Sequence, residues 1–152
     1  MSFTVVDIKM EKEIFRDIGW IAREINATAN RTLRPFNLGD NRFIYVIRVL
    51  EQPGIGQQEL ATTIGVDRTT AFRAVSKLIA DGYLEKRDHP AQPRLKVLYP
   101  TAKSQQMKQQ LFDFEAASSQ RYLDVLTPDE LASLQTLLAR VRHHAQTNTE
   151  PF

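Results

Sequence analysis

The chain has 152 residues, 42% of them hydrophobic and 25% charged, with a formal net charge of +2. That composition suits one folded domain, with room for an appended oligomerisation element. No apolar run reaches the ~18 residues of a membrane-spanning helix, and the absence of cysteine excludes disulfides, thiolate metal sites and thiol redox switching.

The opening stretch MSFTVVDIKMEKEIF lacks the basic region and apolar core of a secretory signal, so a cytoplasmic protein is expected. Ile14, Ile18, Ile21 and Ile25 recur at helical spacing and predict an amphipathic helix over 11–33. Pro35 and Gly39 interrupt it. Asp40 is placed to cap a second helix whose apolar face carries Phe43, Val46, Ile47 and Leu50, and Pro53-Gly54 ends that helix. A short third helix runs from Gln57 to Ile64. Gly65 stops it, because glycine tolerates the left-handed conformation at a helix end. Asp67 caps a fourth helix that runs to Asp81, with Ala71, Val75, Leu78 and Ile79 facing inward.

After Gly82, alternation and β-branching predict two strands, 83–87 and 94–99. They are joined by DHPAQP, whose prolines cannot donate to a ladder. A long helix over 101–126 follows, with Met107, Leu111, Phe114 and Tyr122 near one face. The last helix begins at TPDE, where Thr127 caps, Pro128 takes the first helical position and Glu130 completes a capping box. Its stripe is Leu131, Leu134, Leu138 and Val141, and the closing TNTEPF is expected to fray.

The fold class is therefore mainly α with a small β-hairpin wing. A winged helix-turn-helix over 36–100 is flanked by helical segments at 1–35 and 101–152. The terminal helices carry wider apolar stripes than a small central domain can cover, and surplus surface of that kind usually meets a second copy of the chain. A homodimer joined through those segments is expected.

Charge points to the central segment. Residues 68–103 hold eight Lys and Arg against three Asp and Glu, so the rest of the chain is net acidic. A basic middle between acidic ends fits a patch that meets a polyanion; a merely solvated basic surface is the alternative. Two short helices joined by a Gly65 turn and followed by a basic hairpin fit double-stranded DNA. The start of the fourth helix would bring Arg68, Thr69, Thr70 and Arg73 to base edges in a major groove, with Lys77 nearer the backbone. Gln57 and Gln58 open the preceding helix, where free N–H groups suit a phosphate. In the wing, His89 and Arg94 could enter a minor groove, with Lys86, Arg87 and Lys96 on flanking phosphates.

Several of these residues have plainer readings. Phe72 reads as packing at the helix margin, His89 as a solvated loop residue, and Arg87 as a partner of Glu85 or Asp88. His143 and His144 are adjacent and diverge on a helix, so they form no metal pair. No metal or cofactor is expected, and no catalytic motif points to an enzyme. A winged helix used for protein contact, without specific DNA binding, is the alternative function. Its recognition face would be apolar or acidic, against which Arg68, Arg73 and Lys77 speak.

The run GQQELATTIGVDRTTAFRAVSKLIADGYLEKRD, followed by a proline-containing wing and PTAK, resembles the MarR family of bacterial transcriptional regulators. The resemblance covers nearly the whole chain and includes the order of its six helices. The wing departs from the family pattern. Gln92-Pro93-Arg94 stands where Asp-x-Arg is common, His89 replaces another wing aspartate, and Pro100-Thr101 with Ser104 replaces a Leu-Thr and a glycine.

The resemblance implies a homodimer built from the first helix and the last two, binding a palindromic operator whose half-sites lie about 34 Å apart. Repression is the commoner family behaviour. A small phenolic or carboxylate effector, bound between the dimer helices and the DNA-binding domain, would change the spacing of the recognition helices. For that effector, Trp20 and Arg23 on the first helix and Phe43 on the second offer aromatic and cationic groups suited to an aromatic acid. Trp20 and Phe43 as simple core residues are the alternative. The cysteine-based sensing of some members is excluded here.

Overall fold

The computed structural model describes residues 5–151. In chain order its elements are α1 (Val5–Leu33), a 3-10 turn (Arg34–Phe36), α2 (Arg42–Glu51), β1 (Ile55–Gly56), α3 (Gln57–Ile64) and α4 (Arg68–Ala80). They continue with β2 (Leu84–Asp88), β3 (Lys96–Pro100), α5 (Ala102–Leu123) and α6 (Pro128–Thr147). The fold is mainly helical with a small antiparallel sheet, as the sequence predicts. Among the described residues, no helix is long and apolar enough to cross a membrane.

The sheet has three strands rather than two, in the order β1-β3-β2. β1 escapes sequence reading because two residues are too few to show alternation. It exists through its partner: Ile55 pairs with Leu98 and Gly56 with Val97, and the Gly54 N–H donates to the Leu98 carbonyl at 2.7 Å. β2 and β3 each begin later than predicted, which leaves Arg94 in the wing loop.

The start of α2 also differs. Asp40 does not cap it. Asp40 and Asn41 both take left-handed backbone, at φ 54° and 61°, and no side chain caps the helix. Asn30 of α1 supplies the acceptor instead, its Oδ1 receiving the Asn41 N–H at 2.9 Å. Thr127 does cap α6, its Oγ1 accepting the Glu130 N–H at 3.2 Å. α5 stops at Leu123, short of the predicted end.

The chain forms two compact units, one through Phe112 and one from Asp113 onward. In the first, the core gathers Val46, Ile47 and Val49 of α2, Leu60 of α3, Ala71, Val75 and Leu78 of α4, and Leu98 of the central strand. Each large apolar side chain buried here contributes about 1.5–3 kcal/mol. Tyr83 locks the corner after α4. It is 1% exposed, and its hydroxyl donates to the Phe36 carbonyl at 2.5 Å. Its own carbonyl accepts from Ser104 Oγ, which is how a fully buried serine is satisfied at the first turn of α5. Burial, and then the negative charge of Asp81, push the Tyr83 hydroxyl above the usual tyrosine pKa.

The α1 stripe is not covered by the rest of its own unit. Ile14, Ile18, Ile21 and Ile25 are all exposed. In the second unit α6 has no buried residue, and Leu137, Leu138 and Val141 are exposed.

Candidate nucleic-acid interface

The helix-turn-helix follows from local chemistry. Gly65 sits at φ 86°, which lets its N–H and that of Val66 both return to the Ala61 carbonyl, at 2.9 and 3.1 Å. The chain then turns sharply and Asp67 starts α4. Its Oδ1 accepts the Thr70 N–H and its Oδ2 accepts the Thr70 hydroxyl, each at 2.7 Å. These bonds, the backbone one foremost, hold the Asp67 carboxyl below the usual carboxylate range. They also use the only proton of the Thr70 hydroxyl, so that side chain offers an approaching phosphate no donor while it serves the cap.

The cap makes a pH prediction. Because the folded pKa lies below the unfolded one, the stabilisation is fully present above the unfolded pKa and is lost as pH falls through the folded value. Asp67→Asn keeps an acceptor but cannot titrate. Urea midpoints measured from about pH 6 down to about pH 2 should show the wild type losing stability relative to Asp67→Asn. A difference that does not change with pH would refute this account of the cap.

The cations of the interface divide into held and free. Arg68 Nη2 donates to Gln58 Oε1 at 2.8 Å, joining the starts of α4 and α3. Lys77 lies 3.5 Å from Asp81. Arg87 bonds both oxygens of Glu85, at 3.0 and 3.2 Å, and its guanidinium lies 4.3 Å from the Tyr99 ring centre. That pair lowers the Glu85 pKa and raises that of Arg87. Lys96 bonds Asp88, its partner across the hairpin. Arg73 and Arg94 are exposed, and among the described residues neither has a hydrogen-bond or ion-pair partner.

His89 is a turn residue. Its Nδ1 accepts the backbone N–H groups of Ala91 and Gln92, both at 3.1 Å, while its backbone N–H donates to the Leu95 carbonyl at 2.9 Å. An imidazole thus does what a carboxylate commonly does at a turn. Phe72 is not packed at the margin as the sequence suggests. It is 54% exposed, with Lys86 Nζ 5.4 Å from its ring centre.

Gln57 and Gln58 of α3, Arg68 and Thr69 of α4, and His89, Arg94 and Lys96 of the wing line one open cleft of about 820 Å³. Thr70, Arg73, Lys77 and Arg87 lie outside its lining. The three residues expected around an effector are not in it either. Trp20 is 63% exposed on α1, Arg23 is exposed, and Phe43 belongs to the α2 core. Leu95, which sequence reading did not single out, is exposed on the cleft wall; no local pattern marks it.

The model of the MarR family matches residues 40–96. Over 138 residues the chain is 34% identical to the uncharacterized HTH-type transcriptional regulator YybA of Bacillus subtilis (strain 168), covering 91% of this chain and 92% of that one. Among solved structures, the transcriptional regulator SlyA is similar with a TM-score of 0.85 and 31% identity, covering 89% of this chain and 95% of that one. A MarR family transcriptional regulator from Listeria monocytogenes, complexed with a 26mer DNA, is similar with a TM-score of 0.84 and 32% identity over 88% of this chain and 89% of that one. By fold and by near full-length similarity, the chain belongs to the MarR family of winged helix-turn-helix transcriptional regulators, which are not enzymes.

Proposed function

We propose that this regulator binds a palindromic DNA operator as a homodimer in the cytoplasm and represses transcription there. The observation that carries the reading is the pair of guanidiniums left without a partner among the described residues, Arg73 on α4 and Arg94 on the wing, within a segment of eight cations and three anions. A guanidinium without a protein partner gives up no bond when it meets guanine O6 and N7 or a phosphate. The relative crystallised with a 26mer DNA supports the same reading. In this reading Gln57, Gln58, Thr69 and Lys96 position the duplex through its phosphates. Residues 36–100 form the DNA-binding domain.

The exposed apolar residues of α1 and α6 support dimerisation through 1–35 and 101–152. A small aromatic or carboxylate effector would release the DNA, with Trp20 and Arg23 of α1 as its surface contacts and Phe43 as an apolar support.

Selection of bound duplexes from a random pool tests this directly. The expected result is an inverted repeat with half-sites one helical turn apart. If roughly 6–8 phosphates are neutralised per dimer, the log–log slope of affinity against salt should be about −5 to −7. A slope near zero, or a protein that stays monomeric, would overturn the reading and favour a protein partner.

A further inference from the structure

Between Asn37 and Tyr122 only two large hydrophobic side chains are left exposed, Phe72 at 54% and Leu95 at 50%. Both line the same cleft between α4 and the wing, among Arg68, His89, Arg94 and Lys96. A polar surface this basic has no folding reason to hold a phenyl ring there. Val75 and Leu78 already fill the inward face of α4, and Phe72 stands about 100° around the helix from Ala71. Phe72 immediately precedes Arg73 in the second turn of the helix, within the N-terminal part that reaches base edges.

We infer that Phe72 reads a thymine C5-methyl group in the major groove. The inference rests on the DNA-binding reading above. In an intact duplex the base faces are stacked, so a side chain reaches only base edges. In the major groove the thymine methyl is the one apolar group on those edges. Lys86, with its ammonium 5.4 Å from the ring centre, adds a cation beside the ring where a phosphate would be attracted. Contact with a methyl covers apolar surface on both partners, an effect worth about fourfold in affinity per methyl, or roughly fifteenfold when both half-sites of a palindrome contribute.

The experiment removes the methyl and nothing else. In the duplex recovered by selection, each thymine is replaced in turn by deoxyuridine, symmetrically in both half-sites. Affinities are measured for the wild type, Phe72→Ala and Phe72→Leu. The expected result is one thymine position per half-site at which the wild type loses roughly tenfold or more. At that position Phe72→Ala should bind the thymine and deoxyuridine duplexes alike, both about as the wild type binds deoxyuridine. That match also shows the variant to be folded. Phe72→Leu, which keeps an apolar tip, should retain part of the discrimination.

A wild type indifferent to every methyl, while still binding the palindrome, would overturn the Phe72 assignment and leave the DNA-binding reading intact. So would a Phe72→Ala variant that loses the same factor on both duplexes. A wild type that binds no duplex would end both.

Discussion

Arg73→Ala is expected to lower affinity for the preferred duplex by about 1–3 kcal/mol, roughly 5- to 150-fold, and to flatten the preference at one base pair per half-site. The size follows from what the side chain is free to do. Arg73 is exposed on α4 and has no partner among the described residues, so its full donor fork is available to a guanine. Arg68 must first leave Gln58, and Lys77 must first leave Asp81; their alanine variants should lose less. Competition against a panel of single-base-pair changes checks the prediction. Uniform weakening across the panel, with the salt slope shallower by about one, would make Arg73 a phosphate contact instead. The urea midpoint should barely move, because an exposed substitution of this kind is usually within about 0.5 kcal/mol of neutral.

Tyr83→Ala is expected to act on stability, costing about 3–5 kcal/mol. The ring is 1% exposed, and no smaller side chain can fill its place between the end of α4 and the N-terminal segment. Lys103 Nζ lies 4.1 Å from the ring centre and would lose its aromatic platform. Against a typical total of about 5–15 kcal/mol, that loss removes a large part of the margin. Tyr83→Phe separates the two contributions. It keeps the packing and deletes only the hydroxyl that serves the Phe36 carbonyl, which should cost about 1 kcal/mol. Urea titrations of the three proteins test both numbers. Equal losses for Phe and Ala would mean that the hydrogen bond, and not the packing, holds the corner. DNA affinity measured where the variants remain folded should stay near wild type, in contrast to Arg73→Ala.

The helix-turn-helix is legible in the sequence because its determinants are neighbours in the chain. Gly65 at φ 86°, the Asp67 cap on Thr70, and the spacing of Ala71, Val75 and Leu78 act within a few residues. The same holds for Thr127 and Glu130 at α6. Where a distant segment supplies the partner, local reading failed. Asp40 has the chemistry of a cap, yet an acceptor from Asn30 serves the turn while Asp40 and Asn41 both go left-handed. β1 is two residues that become a strand only beside Leu98 and Val97.

The residue types of the interface were written in the sequence by itself: a basic, short-chained helix after a capped turn, then a basic hairpin. Which of those cations are free was decided by the tertiary structure. The hairpin register sets Asp88 opposite Lys96, and a slip of one residue would send these side chains to opposite faces. Glu85 takes Arg87, and the close approach of α3 to α4 gives Arg68 its Gln58. Among the described residues, that pairing leaves over Arg73, Arg94, and Lys86 beside the exposed ring of Phe72. The starts at Asp67 and Thr127 and the stop at Gly65 depend on hydrogen bonds between residues three or four apart, which a sequence displays. Exposure and pairing depend on which distant surfaces close over a side chain, and only the folded chain determines that.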